Sequence, residues 1–260
     1  MNWLEAMMLG IIQGLTEFLP VSSTGHLYLG RHLFGLDSAG LFLDTMLHLG
    51  TLAAVITVYG DELAAICRNP LGKTGRLLIV GTIPAVVVGI TWEDTLEAIS
   101  QTGVTIGWEF LITGAVLYWA GRIKAGGHKG INDLTYTDAL WIGLAQSAAI
   151  LPAVSRSGMT IAAALWRNVE TSAAASYSFL LSIPAIGGGV LLQGAKLLDV
   201  RAEHISLSSL LIGTAMAGIC GYAAVRWMVR ILSRGSLKGF AWYVWGLGVL
   251  ILLMQWSGLF

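Results

Sequence analysis

Several runs of about 17–25 residues in this chain carry almost no charge, and short polar or charged connections separate them. An apolar run of that length is long enough to cross a bilayer as a helix. Charged residues make up only 12% of the chain, whereas an average soluble domain carries about 25%. The pattern therefore predicts an all-α polytopic membrane protein, and it excludes a soluble domain with a large apolar core.

The runs predict one integral membrane domain over residues 1–260. Six full transmembrane helices are expected, at 41–60, 77–92, 104–121, 172–194, 207–229 and 239–258. The formal net charge is zero, which gives no indication of nucleic-acid binding. The two cysteines, Cys67 and Cys220, are far apart and lack the spacing of metal ligands, so we interpret both as small apolar residues.

Two further apolar segments are each broken near the middle by a proline. Residues 3–34 begin as a helix that Pro20 ends, because proline has no amide hydrogen to donate. Residues 138–168 repeat this design around Pro152. A polar break at membrane depth is tolerated only where it is buried in protein or lines a wet cavity. Both segments are therefore predicted to be re-entrant helical hairpins.

The positions of the basic residues predict the orientation of the chain. Lysine and arginine concentrate in cytoplasmic loops. Basic residues cluster at 68–76, 122–129 and 226–238, whereas acidic residues mark the loops at 93–97 and 199–203. All three basic clusters fall on the cytoplasmic side if residues 138–168 enter and leave on that side. The first hairpin then opens from the outer side of the membrane.

The two broken segments also resemble each other in sequence at a constant shift of 133 residues. The identical pairs are Gly10 with Gly143, Gln13 with Gln146, Val21 with Val154, Ser22 with Ser155 and Gly25 with Gly158. Repeat one is predicted over 1–121 with its hairpin at 3–34, and repeat two over 138–258 with its hairpin at 138–168. Because three crossings separate the hairpins, the second copy is inverted, and inverted repeats of broken helices build midplane binding sites.

The half-helices after the two breaks present their N-termini to the same place, which favours an anion and especially phosphate. Arg156 adds a planar, permanently charged fork. Hydroxyl groups surround the breaks, from Ser22, Ser23, Thr24, Ser155, Ser157 and Thr160. These features predict a phosphate site, and the membrane setting favours a lipid phosphate as the substrate.

A bare anion site has no need of Glu17, which repels anions. A carboxylate beside bound phosphate indicates either a bridging divalent cation, Mg²⁺ or Ca²⁺, or a base that accepts a proton from a nucleophile. His26 can exchange a proton near neutral pH. The set is typical of phosphate-ester or phosphoanhydride cleavage. Gln13 shares a helix face with Glu17.

At these residues the chain resembles the BacA/UppP family of undecaprenyl-diphosphate phosphatases. That family has a Glu/Gln-x-x-x-Glu motif leading into Pro-Val-Ser-Ser-Thr-Gly-His, which here reads Gln13 to Glu17 and Pro20 to His26. Its second motif, Pro-Gly-x-Ser-Arg-Ser-x-x-Thr, here reads Pro152 to Thr160, with Ala153 in the place of the glycine. If that backbone position requires a positive φ, the alanine is strained.

The resemblance implies hydrolysis of undecaprenyl diphosphate to the monophosphate and inorganic phosphate at the outer side of the bacterial plasma membrane. This reaction recycles the lipid carrier for peptidoglycan and confers bacitracin resistance. By the same resemblance, Glu17, Ser23, His26 and Arg156 form the catalytic set. The supporting residues, for binding of the diphosphate, are Gln13, Ser22, Thr24, Ser155, Ser157 and Thr160.

The sequence does not choose between a phosphoserine intermediate, a phosphohistidine intermediate and direct attack by water, and it leaves a second function open. Inverted repeats are also typical of transporters, so the chain could instead move a polyprenyl phosphate or another anion across the membrane. Glu17 and His26 align with Ile150 and Met159, and this asymmetry favours an enzyme. His48 lies within the first crossing, where packing or a hydrogen bond is favoured over catalysis. The apolar helices allow a homodimer.

Overall fold

The structure is a computed structural model that describes residues 1–36, 41–123, 127–197, 205–234 and 236–258. The described residues form twelve α-helices and one short 3₁₀ helix. In chain order they are α1 (Trp3–Phe18), α2 (Ser23–Leu33), α3 (Leu41–Val58), α4 (Gly60–Arg68), α5 (Lys73–Thr91), α6 (Glu93–Thr102), α7 (Ile106–Ala120), the 3₁₀ helix (Ile131–Asp133), α8 (Tyr136–Ala148), α9 (Arg156–Trp166), α10 (Thr171–Leu197), α11 (Leu207–Arg234) and α12 (Lys238–Trp256).

The all-α prediction is confirmed, and the chain is a multi-pass helical protein. Among the described residues, four helices are long and apolar enough to cross a membrane, at Lys73–Thr91, Thr171–Gly194, Leu207–Leu232 and Lys238–Trp256. A fifth span results if Phe42–Val58 is counted together with Gly60–Arg68, which bends away from it by 81°. The helix Ile106–Ala120 is apolar but shorter, with 15 residues.

Two predicted connections are wrong, because each contains a helix. The acidic loop at 93–97 is the first half of α6, which ends at Gly103 in the left-handed conformation that favours glycine. The segment after residue 60 forms α4, with Asp61 and Glu62 in its first turn and Arg68 in its last. Those charges complement the helix dipole. A search for apolar runs does not detect a polar helix of this kind. Lys124 and the loop 199–203 lie outside the described residues.

Each predicted hairpin begins with the same local structure. Asn2 accepts from the backbone of Leu4 and Glu5, and the Glu5 carboxylate accepts the Asn2 amide hydrogen in return. Thr135 and Asp138 form the same reciprocal capping box at the start of α8. Asn2 and Glu5 are separated from Thr135 and Asp138 by the same 133 residues that relate the two sequence motifs. The likeness of the two segments therefore begins at their first helical turn.

The second half-helix of each hairpin is also capped in the same way. Ser22 accepts from the amide of Gly25 at the start of α2, and Ser155 accepts from the amide of Gly158 at the start of α9. These bonds satisfy one of the free amide groups that every helix start exposes. The two caps differ in backbone conformation, since φ is 68° at Ser22 and −73° at Ser155. A positive φ is uncommon for a residue other than glycine.

Each hairpin packs against a long helix through a pair of glycines. A Cβ atom on Gly10 of α1 would lie 2.3 Å from the Gly213 carbonyl oxygen of α11, and one on Gly143 of α8 would lie 2.4 Å from that of Gly81 in α5. Such short distances leave no room for a side chain. Small residues that let helix backbones approach closely are typical of membrane proteins. Glycine is thus required at matching positions of the two hairpins.

Candidate active site

The tips of the two hairpins enclose a polar cavity of about 340 Å³. Helices α3, α6 and α10 complete its wall. Its polar lining consists of Glu17, Ser22, Ser23, Thr24, His48, Ser155, Arg156 and Gln193. Six of the residues predicted for the site therefore line one cavity, although they come from two segments that are far apart in the chain.

Glu17 is the centre of this arrangement and is 8% exposed. Its Oε1 accepts a hydrogen bond from the guanidinium of Arg156 at 2.7 Å. Its Oε2 accepts from the hydroxyl of Ser23 at 2.6 Å and from the amide of Gln13 at 3.0 Å. A buried carboxylate is tolerated when it is paired and hydrogen-bonded in this way. The same contacts join the two hairpins, because Glu17 belongs to the first and Arg156 to the second.

The contact between Ser23 and Glu17 has the geometry of a nucleophile and its base. A serine hydroxyl is a weak nucleophile until a neighbouring group accepts its proton, and that group must lie within hydrogen-bonding distance. Here the hydroxyl already donates to the carboxylate. Ser23 is the first residue of α2, so it stands beside the amide groups at that helix start, where an anion is favoured.

The donor atoms around Glu17 fit a cation that is bound together with phosphate. The amide oxygen of Gln13 is buried and finds no hydrogen-bond partner among the described residues. Magnesium is usually held by one or two carboxylates plus substrate phosphates. Across the described residues, no group of three or more His, Cys, Asp or Glu is placed to hold a metal ion by itself. The site therefore fits a divalent cation only if substrate oxygens complete its coordination.

Two of the predicted binding residues hold the second hairpin in place and do not line the cavity. The hydroxyl of Ser157 donates to the carbonyl of Leu19 at 3.0 Å, across the interface between the hairpins. The hydroxyl of Thr160 lies 2.6 Å from that of Ser178 in α10 and donates to the Arg156 carbonyl. Both side chains are fully buried. They orient the start of α9, from which Arg156 reaches Glu17.

Helix α7 supplies two residues that the sequence analysis did not select. Glu109 accepts the amide hydrogen of Ala153 at 2.5 Å, and Thr113, one turn later, accepts that of Ser155 at 3.1 Å. Together they hold the break of the second hairpin. Glu109 is the only charged residue between positions 104 and 121, and a lone charge within an apolar run was the available signal. Ala153 itself has no positive φ, so the glycine-to-alanine departure causes no strain of that kind.

His26 lies beside the first break but is not among the residues that line the cavity. Its Nδ1 is 2.6 Å from the Ser22 carbonyl oxygen, and its Nε2 is 2.8 Å from the Tyr243 hydroxyl. A carbonyl oxygen can only accept, so Nδ1 carries a hydrogen. The ring also stacks on Tyr243, with ring centres 5.7 Å apart. His26 thus connects the backbone at Ser22, just before α2, to Tyr243 of α12.

The histidine that does line the cavity is His48. Its Nδ1 lies 2.7 Å from the backbone carbonyl of Asp44, to which it donates a hydrogen bond. Its Nε2 faces Oε2 of Glu17 at 3.6 Å. From the sequence, packing or a hydrogen bond was favoured over catalysis for His48, because nothing local distinguishes a histidine facing a cavity from one packed against a neighbouring helix.

The fold and this cavity define a class of protein: a multi-pass helical protein in which two broken helices meet around a buried glutamate, arginine and serine. The chain belongs to the BacA family. The family described as "Bacitracin resistance protein BacA" matches residues 6–250.

Curated relatives agree over the full length of the chain. The chain is 60% identical over 260 residues to a Bacillus cereus protein named Undecaprenyl-diphosphatase 3, and both chains are covered completely. It is 61% identical over 260 residues to Undecaprenyl-diphosphatase 4 of Bacillus thuringiensis subsp. konkukian, again with complete coverage. A protein of Carboxydothermus hydrogenoformans named Undecaprenyl-diphosphatase is 44% identical over 262 residues, with all of both chains covered.

Proposed function

We propose that this protein hydrolyses undecaprenyl diphosphate to undecaprenyl phosphate and inorganic phosphate. The observation that carries the proposal is the hydrogen bond from Ser23 to Glu17, beside Arg156, in a cavity between two helix N-termini. The names of the relatives support the same substrate. The reaction returns the lipid carrier to peptidoglycan synthesis and removes the form of the lipid that bacitracin binds, which accounts for resistance.

The first step is binding of the diphosphate. Arg156 places one nitrogen on Glu17 and the other 3.5 Å from the Ser178 carbonyl, so its planar group is oriented before substrate arrives. Such a fork suits phosphate oxygens. Thr24 and the amide groups at the starts of α2 and α9 supply further donors to the anion. The charge of the diphosphate is thus balanced from both hairpins.

The second step is attack on the terminal phosphorus. The Ser23 oxygen, or a water in its place, forms the new P–O bond, and Glu17 accepts the proton that the nucleophile loses. The P–O bond to the bridging oxygen breaks, and its electron pair leaves with undecaprenyl phosphate. If Ser23 attacks, water then hydrolyses a phosphoserine; if water attacks, inorganic phosphate forms directly. Trapping of phosphorylated Ser23 during turnover distinguishes these two routes.

A divalent cation, Mg²⁺ or Ca²⁺, is part of this proposal. Glu17 and the unpaired amide oxygen of Gln13 would hold it together with the diphosphate. When bound, it supplies positive charge that offsets the charge developing on the phosphate oxygens. Removal of divalent cations with EDTA should abolish phosphate release, and addition of Mg²⁺ or Ca²⁺ should restore it.

His26 is proposed to assist the reaction from its position beside the first break, outside the cavity lining. Its bond to the Ser22 carbonyl positions the residue before Ser23, and its ring is the acid–base group predicted to assist the leaving phosphate. A His26→Gln variant tests the second role, because glutamine retains hydrogen bonding but cannot exchange a proton near neutral pH. Proton transfer by His26 requires a fall in kcat in that variant, and an unchanged kcat would limit His26 to a positioning role.

We further propose six spans and two re-entrant hairpins in an inverted repeat, in the plasma membrane, with the cavity open to the outer side. Matching capping boxes, serine caps and glycine contacts at a shift of about 133 residues support the repeat. The basic clusters support the orientation. Labelling of single cysteines introduced at Thr24 and Arg68 with a membrane-impermeant reagent tests the orientation, since only the cysteine at position 24 should react from outside. Cross-linking in membranes tests the predicted homodimer.

The decisive experiment is a phosphate-release assay with purified protein in detergent and undecaprenyl diphosphate as substrate. We expect release that depends on Glu17 and Arg156. The transporter alternative predicts no release in detergent but movement of the lipid across vesicle membranes. That result would replace the enzyme proposal.

A further inference from the structure

The imidazole of His48 is fixed in one orientation and one tautomer. Its Nδ1 donates to the Asp44 carbonyl, so in the neutral ring Nε2 carries a lone pair and no hydrogen. The side-chain carboxylate of Asp44 forms an ion pair with Arg31, and this pair joins the start of α3 to the end of α2. A histidine that binds a metal almost always donates its other ring N–H to a carboxylate, a backbone carbonyl or water. His48 therefore presents Nε2 to the cavity as an acceptor.

The atom that faces this lone pair is another acceptor. Oε2 of Glu17 lies 3.6 Å from Nε2 of His48, and both residues line the cavity. Two acceptors at this separation repel each other unless a proton or a metal ion lies between them. The Gln13 amide nitrogen donates to that same Glu17 oxygen, and the Gln13 amide oxygen finds no hydrogen-bond partner among the described residues.

We propose that Nε2 of His48 is a further protein ligand of the divalent cation, beside Oε2 of Glu17, with diphosphate oxygens completing its coordination. The proposal rests on the proposed function and adds a nitrogen ligand to it. Ca²⁺ takes oxygen ligands, whereas a transition-metal ion such as Mn²⁺ also accepts an imidazole nitrogen beside its oxygen ligands. The site should therefore bind Mn²⁺ more tightly than Ca²⁺, and this preference should depend on His48.

The test uses the purified full chain in detergent, Mn²⁺ and methylenediphosphonate, a diphosphate analogue whose P–C–P bridge cannot be hydrolysed. Pulsed EPR of the bound Mn²⁺ detects the nuclear coupling of a directly coordinated imidazole nitrogen. We expect this nitrogen coupling in the unmodified protein and its loss in His48→Gln. His26→Gln is the matched control, since it removes an imidazole that is tied to Tyr243, and it should retain the coupling.

Binding constants give a second readout. His48→Gln replaces a nitrogen donor by an amide that can offer oxygen, so it should reduce the preference for Mn²⁺ over Ca²⁺ by about tenfold or more, the usual scale of effects on metal affinity. The melting temperature of each variant shows whether it is folded. Should the variant not fold, the nitrogen coupling in the unmodified protein and in His26→Gln still decides the question.

Three results would overturn the proposal: no Mn²⁺ binding, no nitrogen coupling in the unmodified protein, or a coupling that persists in folded His48→Gln. Any of them would limit His48 to its contact with Glu17. A parallel phosphate-release assay separates this outcome from failure of the proposed function. Release without nitrogen coupling contradicts only the ligand assignment, whereas absence of release with every cation contradicts the function.

Discussion

The two hairpins share a local design but do different work at the cavity. The first residue of α2 is Ser23, and the first residue of α9, at the equivalent position 133 residues later, is Arg156. One supplies the hydroxyl that bonds to Glu17, and the other supplies the positive charge. Glu17 itself is matched by Ile150, and both line the cavity. The two hairpins thus place two helix starts at the cavity, and they differ in the side chains at those starts.

The hairpins also differ in how they are held. The break of the second receives hydrogen bonds from Glu109 and Thr113, and Ser157 ties it to the first hairpin. The break of the first contains Ser22 with a positive φ. Backbone strain of this kind persists only where surrounding contacts maintain it. At the first break, the Ser22 hydroxyl donates to the Pro152 carbonyl and the Ser22 carbonyl accepts from His26, so different contacts hold the two breaks.

The test with the largest expected effect replaces the Glu17 carboxylate of the first hairpin. Glu17→Gln keeps the shape of the side chain but removes the base, so phosphate release should fall by about 10²–10⁴-fold, the usual contribution of a general base. The matched change in the second hairpin, Ile150→Gln, should leave the rate within about tenfold, because no base is lost there. Initial rates of phosphate release measure both. Equal losses would mean that the two hairpins share the chemistry.

The next test concerns the positive charge of the second hairpin. Arg156→Lys keeps the charge but removes the fork that reaches Glu17 and the phosphate together. We expect a loss of about 10²-fold in kcat/KM, on the scale of removing one donor to a developing anion. The exposed Arg226→Lys change is the control, with an unchanged kcat/KM. A fully active Arg156→Lys enzyme would show that charge alone suffices.

The structural equivalence of the hairpins can be tested at their glycine contacts. Gly10→Ala and Gly143→Ala each place a Cβ against a backbone carbonyl, so each should destabilise the protein by about 1–3 kcal/mol, the usual cost of overpacking. Gly239→Ala, where no atom lies within 4 Å, serves as the control and should not destabilise it. Thermal unfolding in detergent measures the three. A marked difference between the first two variants would contradict equivalent packing.

The smallest expected effect on turnover is at Thr113, which supports the second break. Thr113→Val removes the acceptor for the Ser155 amide while keeping the shape of the side chain, at a cost of about 1–3 kcal/mol for an unsatisfied buried donor. We expect a lower melting temperature and a higher KM, with kcat little changed. Thr57→Val, on an exposed face, is the comparison. A fall in kcat without a change in KM would instead assign Thr113 a part in the chemical step.

Most of the helices could be read from the sequence, because apolar runs, prolines and capping residues act over a few neighbouring positions. Helices α4 and α6 could not, since they are polar and their stability depends on end charges and on the left-handed Gly103. Within the site, Glu17, Ser23 and Arg156 were predicted from the sequence, and the structure brings their side chains into hydrogen-bonding contact. Ser157 and Thr160 were expected to bind substrate, but they bond to the protein itself.

What the sequence determined by itself is local: two broken helices, their matching caps and the polar residues at each break. Only the tertiary structure decided which atoms meet, because a side chain's direction follows from the packing of helices that are distant in the chain. Glu17 and Arg156 are 139 positions apart, and α7 reaches the second break across more than 40. The same packing turns His48 toward the cavity and His26 toward Tyr243.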